Sequence, residues 1–281
     1  MFPPDSYVAM AGPVCSETVD KLRKALKKKF GNNAPQLPPF ITNKMSVIMV
    51  YCHFQRLLLF PQKFIRSKKQ PLKFMTSNSE HEVQFFGATR NTAERYSSQV
   101  DILNYKDKDE FTLRIKSQRK GEFIVLSKMT KPKTLADGIM VVKNQIENKR
   151  PCLNKVTNNN KIVYYRNTLG EGDILAVPVI DFVVVTNYFE LCDRKFINQG
   201  FTNLWIGRAY QNVKFKLDEA GAYVESTAEV DMFGDPKMFK PRRFIFNKPF
   251  LVTLWKENTS QPYLALWISS DNALLPFKKK Q

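Results

Sequence analysis

Apolar residues in the first thirty positions recur at helical spacing, with Val19, Leu22, Leu26 and Phe30 on one stripe. Ser16 is a suitable N-cap, Glu17 and Asp20 suit the positive helix N-terminus, and Lys27, Lys28 and Lys29 suit its negative end. With Gly31 as the stop, the pattern predicts a helix from Ser16 to Phe30. A Pro-rich connection, Asn32 to Phe40, then separates the helix from strand chemistry. Ser46 to Phe54 is almost continuously apolar and β-branched, which predicts a strand buried on both faces.

Short strands are predicted next at Leu72 to Met75, Val83 to Phe86 and Gln99 to Tyr105. Phe111, Leu113 and Ile115 alternate with polar residues and pair with Glu122 to Leu126 across the turn Ser117 to Gly121. A second helix is expected from Leu135 to Glu147. Thr134 and Asp137 form its capping box, and Leu135, Ile139, Val142 and Ile146 its apolar stripe. Residues 148–160 are polar and Asn-rich, hence loop. Strand patterns resume at Ile162 to Tyr165, Ile174 to Val185 and Val213 to Leu217, then at Arg243 to Phe246, Phe250 to Lys256 and Tyr263 to Ile268. The last is apolar on both faces and is expected in the middle of a sandwich. Strands outnumber helices and short turns join them, so the fold class is α+β, built mainly from antiparallel sheets.

The composition, 43% hydrophobic and 12% aromatic over 281 residues, is that of a chain with a core and excludes global disorder. Charge changes the picture more. The formal net charge is +18, and residues 1–80 hold 13 Lys/Arg against 4 Asp/Glu. Such a surface attracts polyanions. The densest candidates are Lys21, Arg23, Lys24, Lys27 and Lys28 on the first helix, and Lys63, Arg66, Lys68 and Lys69 in the loop before the small strands. An acidic polysaccharide is a fitting partner. No reader motif accompanies the charge, so nucleic acid is not expected as a specific partner. The plain alternative is a solvated helix face.

No run of about 18 apolar residues occurs, because Pro178 and Asp181 interrupt the best one, so no transmembrane helix is expected. The N-terminus lacks a secretory-signal pattern, which predicts a soluble chain of open compartment. Cys15, Cys52, Cys152 and Cys192 are far apart and form no metal-binding spacing; disulfides are neither required nor excluded. Hydrolase, zincin, Walker and dinucleotide motifs are all missing, so no enzyme activity and no cofactor or metal are expected. His53 is expected as a hydrogen-bonded core residue and His81 as an exposed loop residue. Asp181 is expected as a paired structural carboxylate, and Gly170 to Asp173 as a turn. Asn258-Thr259-Ser260 matches a glycosylation sequon at chance level.

The informative stretch lies near the C-terminus. The alternating strand Val213 to Leu217 ends in Asp218-Glu219-Ala220-Gly221. Ala222 to Phe239 then runs small and polar before becoming turn-like, and the chain returns through Pro241, Arg242 and Arg243 to Phe244. In these residues the sequence resembles the serpin family. Its hinge is similar to Glu219, Ala220, Gly221, Ala222, with Tyr223, Val224 and Glu225 following. The strand that closes its loop resembles Asn247-Lys248-Pro249-Phe250. Weaker likenesses are Met45 to Phe64, for the central strand and its Phe-rich exit, Lys131 to Leu135, and Val177 to Phe182. The resemblance spans about residues 16 to 277 and implies a single serpin-like domain over 1–281. Within it, residues 1–45 are helix and lead-in, 46–277 the sheet core and 220–243 an exposed reactive-type loop.

Departures from the family pattern are substantial. Its leading helices have no counterpart, so part of the scaffold is missing or supplied elsewhere. The family's central-strand Asn is replaced around Tyr51, and the Gly of its last strand around Trp267. Counting from the two ends places the bond a protease would cut near Asp235-Pro236 or Met238-Phe239, with Lys237 and Met238 as bait. In inhibitory members the cleaved loop enters the large sheet as a new central strand, releasing stored strain. Tyr223, Val224, Glu225 and Glu229 are large or charged for that role. The preferred expectation is a non-inhibitory binding or scaffolding domain. Inhibition of a serine protease by loop insertion, and polyanion binding on an unrelated β fold, are the alternatives.

Overall fold

The structure is a computed structural model and describes residues 6–37, 44–55, 58–148, 153–158, 161–197, 199, 203–221 and 241–278. In chain order its elements are β1 (Tyr7–Val14), α1 (Ser16–Phe30), β2 (Lys44–Gln55), β3 (Ile65–Arg66), β4 (Leu72–Met75), β5 (Glu80–Val83) and β6 (Phe85–Ala88). Then come β7 (Val100–Tyr105), β8 (Phe111–Lys116), β9 (Glu122–Lys128), α2 (Leu135–Glu147), β10 (Leu153–Asn158) and β11 (Lys161–Arg166). The last are β12 (Ile174–Pro178), β13 (Ile180–Asn187), β14 (Trp205–Leu217), β15 (Arg243–Ile245), β16 (Phe250–Lys256) and β17 (Leu264–Ile268). They fall into two compact units, residues 1–56 with 183–215 and residues 57–182 with 216–281.

The first unit is built on a four-stranded sheet in the order β1-β2-β14-β13. β1 runs antiparallel to β2, and β14 runs parallel to it from Trp205 opposite Val47 to Lys214 opposite Gln55. The predicted stripe of α1 supplies this unit's core, with Leu22 and Leu26 packed among Val8, Val14, Met49 and Tyr51. The N-cap is Cys15 rather than Ser16 and makes no side-chain cap bond; its Sγ lies 3.3 Å from the Thr18 hydroxyl. β2 is not buried on both faces. Met49, Tyr51 and His53 are buried, whereas Val50 is exposed and Ile48 and Cys52 are half-buried, so the apolar run over-states its cover. His53 packs edge-on against Phe30, its Nε2 3.4 Å from Gln55 and its Nδ1 without a hydrogen-bond partner among the described residues. Burial lowers its pKa.

The second unit holds the five-stranded antiparallel sheet β17-β16-β9-β8-β7 and the four-stranded sheet β15-β12-β6-β3. The Phe111 ring meets Phe246 at 4.9 Å and Phe244 at 5.4 Å, both edge to face. α2 closes its own cluster, Val142 packing with Phe123, Val125, Leu251 and Trp255, and the Thr134–Asp137 capping box forms as predicted. The expected β8–β9 hairpin forms with Ile115 opposite Ile124.

Several expectations are corrected. β17 is an edge strand and half-buried, not the middle of a layer, because α2 supplies cover that its sequence alone does not reveal. The polar stretch 148–160 contains β10, which pairs with β11. Ile174 to Val185 is two strands, separated at Val179. β1 lies where no strand was predicted. His81 sits in β5, half-buried, with Nδ1 3.0 Å from Asp271. Asp181 is exposed, and the structural carboxylate is Asp173 instead. Cys15, Cys52 and Cys192 are free and half-buried; Cys152 lies outside the described residues.

Candidate functional site

The predicted hinge is a tight turn at the end of β14. Asp218 and Gly221 form an antiparallel bridge, the Gly221 amide donating to the Asp218 carbonyl at 3.1 Å. The Asp218 carboxylate accepts from the Ala220 amide at 3.0 Å, which braces the turn from within. Gly221 has φ +73°, and a Cβ there would run into the Leu58 carbonyl and the Phe60 amide. Only glycine satisfies both constraints.

The segment from Leu58 to Arg66 holds this turn from the other side. The Phe60 amide donates to the Ala220 carbonyl at 3.1 Å and the Phe64 amide to the Glu219 carbonyl at 2.8 Å. Phe60 and Phe64 fix that segment by packing on each other and on Phe86 and Tyr96. Arg66 then reaches the Glu219 carboxylate at 2.9 Å, with Lys63 at 3.9 Å. Glu219 is 14% exposed and Arg66 23%, so the pair is only partly shielded from salt.

The returning end is held differently. Asp173 and Arg242 form a buried ion pair with side chains 3% and 4% exposed. The Asp173 carboxylate accepts from Arg242 Nη2 at 2.8 Å, from its backbone amide at 2.7 Å and from the Gly170 amide at 3.0 Å. Arg242 Nη2 also donates to the Thr168 carbonyl. Farther on, Lys128 is buried among four oxygens: the carbonyls of Lys108 and Ile245, Asn247 Oδ1 and Asp109 Oδ1, all within 3.0 Å. Lys248 joins the same Asp109 oxygen at 3.1 Å. Lys128, ahead of Lys248 and Lys108, holds the Asp109 carboxyl well below the usual carboxylate range. Burial outweighs that attraction at Lys128 and lowers its pKa.

Glu219 and Gly221 are thus placed in the turn, and Asn247, Lys248, Pro249 and Phe250 in the return, with Phe250 in the core. Ala222, Tyr223, Val224, Glu225, Asp235, Lys237, Met238 and Phe239 lie outside the described residues. The basic residues divide. On α1, Lys21 pairs with Glu17 and Arg23 with Asp20, while Lys24, Lys27 and Lys28 are exposed without an acidic partner among the described residues. In the other unit Lys68 and Lys69 are exposed, whereas Arg66 and Lys63 face Glu219. Asp173, Arg242 and Lys128 were missed as site residues. Asp173 stands in a run that reads as a turn, and partners 69 residues apart leave no local signal.

No family profile and no curated protein sequence matches the chain. Solved structures do. Tengpin, a thermophilic serpin in its native state, aligns with TM-score 0.55 at 12% identity, over 92% of this chain and 64% of its own. Human glycosylated kallistatin aligns with TM-score 0.57 at 15% identity, over 91% and 64%. Thyroxine-binding globulin in complex with thyroxine aligns with TM-score 0.56 at 8% identity, over 96% and 77%. The chain therefore spans less than two thirds, 64%, of the length of the first two. Among the described residues no helix is long and apolar enough to cross a membrane. Two anchored ends, antiparallel sheets and these alignments agree on one architecture, and the chain has a serpin-like α+β fold.

Proposed function

We propose that this chain is a serpin-type protease inhibitor, offering residues 222–240 to a serine protease and taking the cut segment into its sheet beside β14. The observation that carries this reading is the register of the hinge. With Asp218 opposite Gly221, a hairpin continued back along β14 after insertion would set Ala222 opposite Leu217, Tyr223 opposite Lys216, Val224 opposite Phe215 and Glu225 opposite Lys214. Directly opposed residues share a face of an antiparallel pair. Leu217 and Phe215 are buried and Lys216 and Lys214 are exposed. The inward face would then carry Ala222, Val224, Ser226 and Ala228, which are small or apolar. Tyr223 and Glu225 would face solvent, Glu225 beside a lysine. The desolvation penalty that composition alone assigns to Glu225 does not arise in that register.

The non-inhibitory binding or scaffolding reading is supported by the clamp on Glu219, which opposes insertion, and by Pro236, which hinders cleavage after Asp235. Incubation with trypsin-like and chymotrypsin-like proteases separates the two. Inhibition predicts a protease adduct resistant to denaturing electrophoresis and a large rise in melting temperature after cleavage. Val224→Arg, on the inward face, should abolish both, whereas Glu225→Ala should leave both in place. Cleavage with neither adduct nor stabilisation decides for the scaffold. The unpartnered stripe Lys24, Lys27, Lys28 supports an acidic polysaccharide as a further partner, and heparin binding that steepens as salt is removed is its test.

A further inference from the structure

We propose that the β3-β6-β12 face of the second unit is a binding site for a small amphipathic carboxylate, with Arg90 as the anion-binding group. The site is a cavity of about 590 Å³ among Ile65, Phe85, Gly87, Ala88, Ile174 and Ala176, with Ser67, Gln70, Thr89, Arg90 and Asn91 around it. That volume falls within the roughly 300–1,000 Å³ of small-molecule sites, which combine an apolar lining with few polar groups.

The hollow has a cause in the sheet. One row across three strands reads Ile65, Gly87, Ala176, so the middle of the face carries almost no side chain. Gly87 cannot be replaced by a bulkier residue, since a Cβ there would strike the Leu175 carbonyl. Phe85, two residues before Gly87 on β6, and Ile174 on β12 wall the hollow.

Its polar side is organised and basic. Thr89 and Thr92 brace the turn that bears Arg90, the Thr89 amide donating to the Thr92 hydroxyl at 2.9 Å and the Thr92 amide to the Thr89 carbonyl at 3.0 Å. The Gly172 amide donates to the Arg90 carbonyl at 3.1 Å and fixes its backbone. The Arg90 guanidinium itself has no ion pair or hydrogen bond among the described residues. Across the cavity, Ser67 donates to the Gln70 carbonyl at 2.7 Å and closes the turn carrying exposed Lys68 and Lys69. Among the described residues no Asp or Glu lines the cavity. An apolar hollow beside an exposed, unpaired guanidinium and two exposed lysines selects an apolar body with one carboxylate.

Calorimetric titration of the full chain with decanoate and with decanol tests this. Decanoate should bind about tenfold or more tightly than decanol, the advantage of a charge-assisted contact. Arg90→Glu, in an exposed turn, should remove that advantage and leave decanol binding unchanged. Ile65→Asp, on the exposed edge strand, should weaken both ligands and decanoate more. Equal affinity for the two ligands, no binding of either, or decanoate binding that survives Arg90→Glu would overturn the proposal. Circular dichroism and melting curves of each variant show that loss of binding is not loss of fold.

Discussion

The two ends of the 222–240 segment are anchored by opposite means. At the return, Asp173 and Arg242 are withdrawn from water, and Lys128 spends its ammonium on four buried or half-buried oxygens. At the hinge, the ties are backbone hydrogen bonds, a glycine wedge and a partly exposed ion pair. A buried pair fails only by leaving a charge without water or partner, which is costly. A pair with part of its surface in water can exchange its partner for water and ions at a smaller cost. The return therefore behaves as core and the hinge as a latch. The proposed insertion, in which one end stays fixed while the other moves, requires this asymmetry.

The strongest way to break the comparison is at the return. Arg242→Ala should destabilise the second unit by about 3–5 kcal/mol, since it strands the Asp173 carboxylate in the interior. Denaturant unfolding measures this, and a loss as small as that of a surface pair would show that the return is no better anchored than the hinge. Gly221→Ala comes next, at about 1–3 kcal/mol for a side chain at positive φ, plus the displacement of the Leu58–Phe60 backbone. Hydrogen exchange should accelerate at the Phe60 and Phe64 amides, with Phe246 unaffected. Glu219→Gln should cost about 1 kcal/mol or less, and the effect should shrink in high salt. The same amides should loosen, and the rate of any protease adduct should rise, because the latch is weaker.

Acid provides the mildest contrast. The folded-state pKa of Asp109 is depressed, so its contribution to stability is fully present above the unfolded carboxylate range near pH 4 and is lost as pH falls toward the depressed value. Unfolding followed from pH 6 to pH 2 should show a loss of stability that Asp109→Asn removes. An identical slope in the variant would place the acid sensitivity elsewhere.

Much of this was legible in the residues. The stripes of both helices, the Thr134 capping box and the β8–β9 hairpin all depend on neighbours within a few positions, where spacing and chemistry are local. By residue type alone, Glu225 is costly in an inserted strand. A strand continued in the register of Asp218 opposite Gly221, as the proposed insertion requires, would turn Glu225 outward. A shift of one residue in a strand turns every side chain over, and no composition carries that information. Asp181 illustrates the same limit. It interrupts an apolar strand and still ends exposed, while Asp173, placed in an unremarkable turn, meets Arg242 in the interior.

By itself the sequence determined the class of the fold, the two helices, the strongly basic charge and the end of the β14 strand near Leu217, because each is set by short-range pattern or by counting. Only the tertiary structure decided that the turn is wedged on Leu58 and Phe60, that the return is held by Asp173 and Lys128, and that a Gly87–Ala176 row hollows the β3-β6-β12 face. These depend on residues tens of positions apart meeting across strands, and the energy of burying or pairing them exists only once the chain has brought them together.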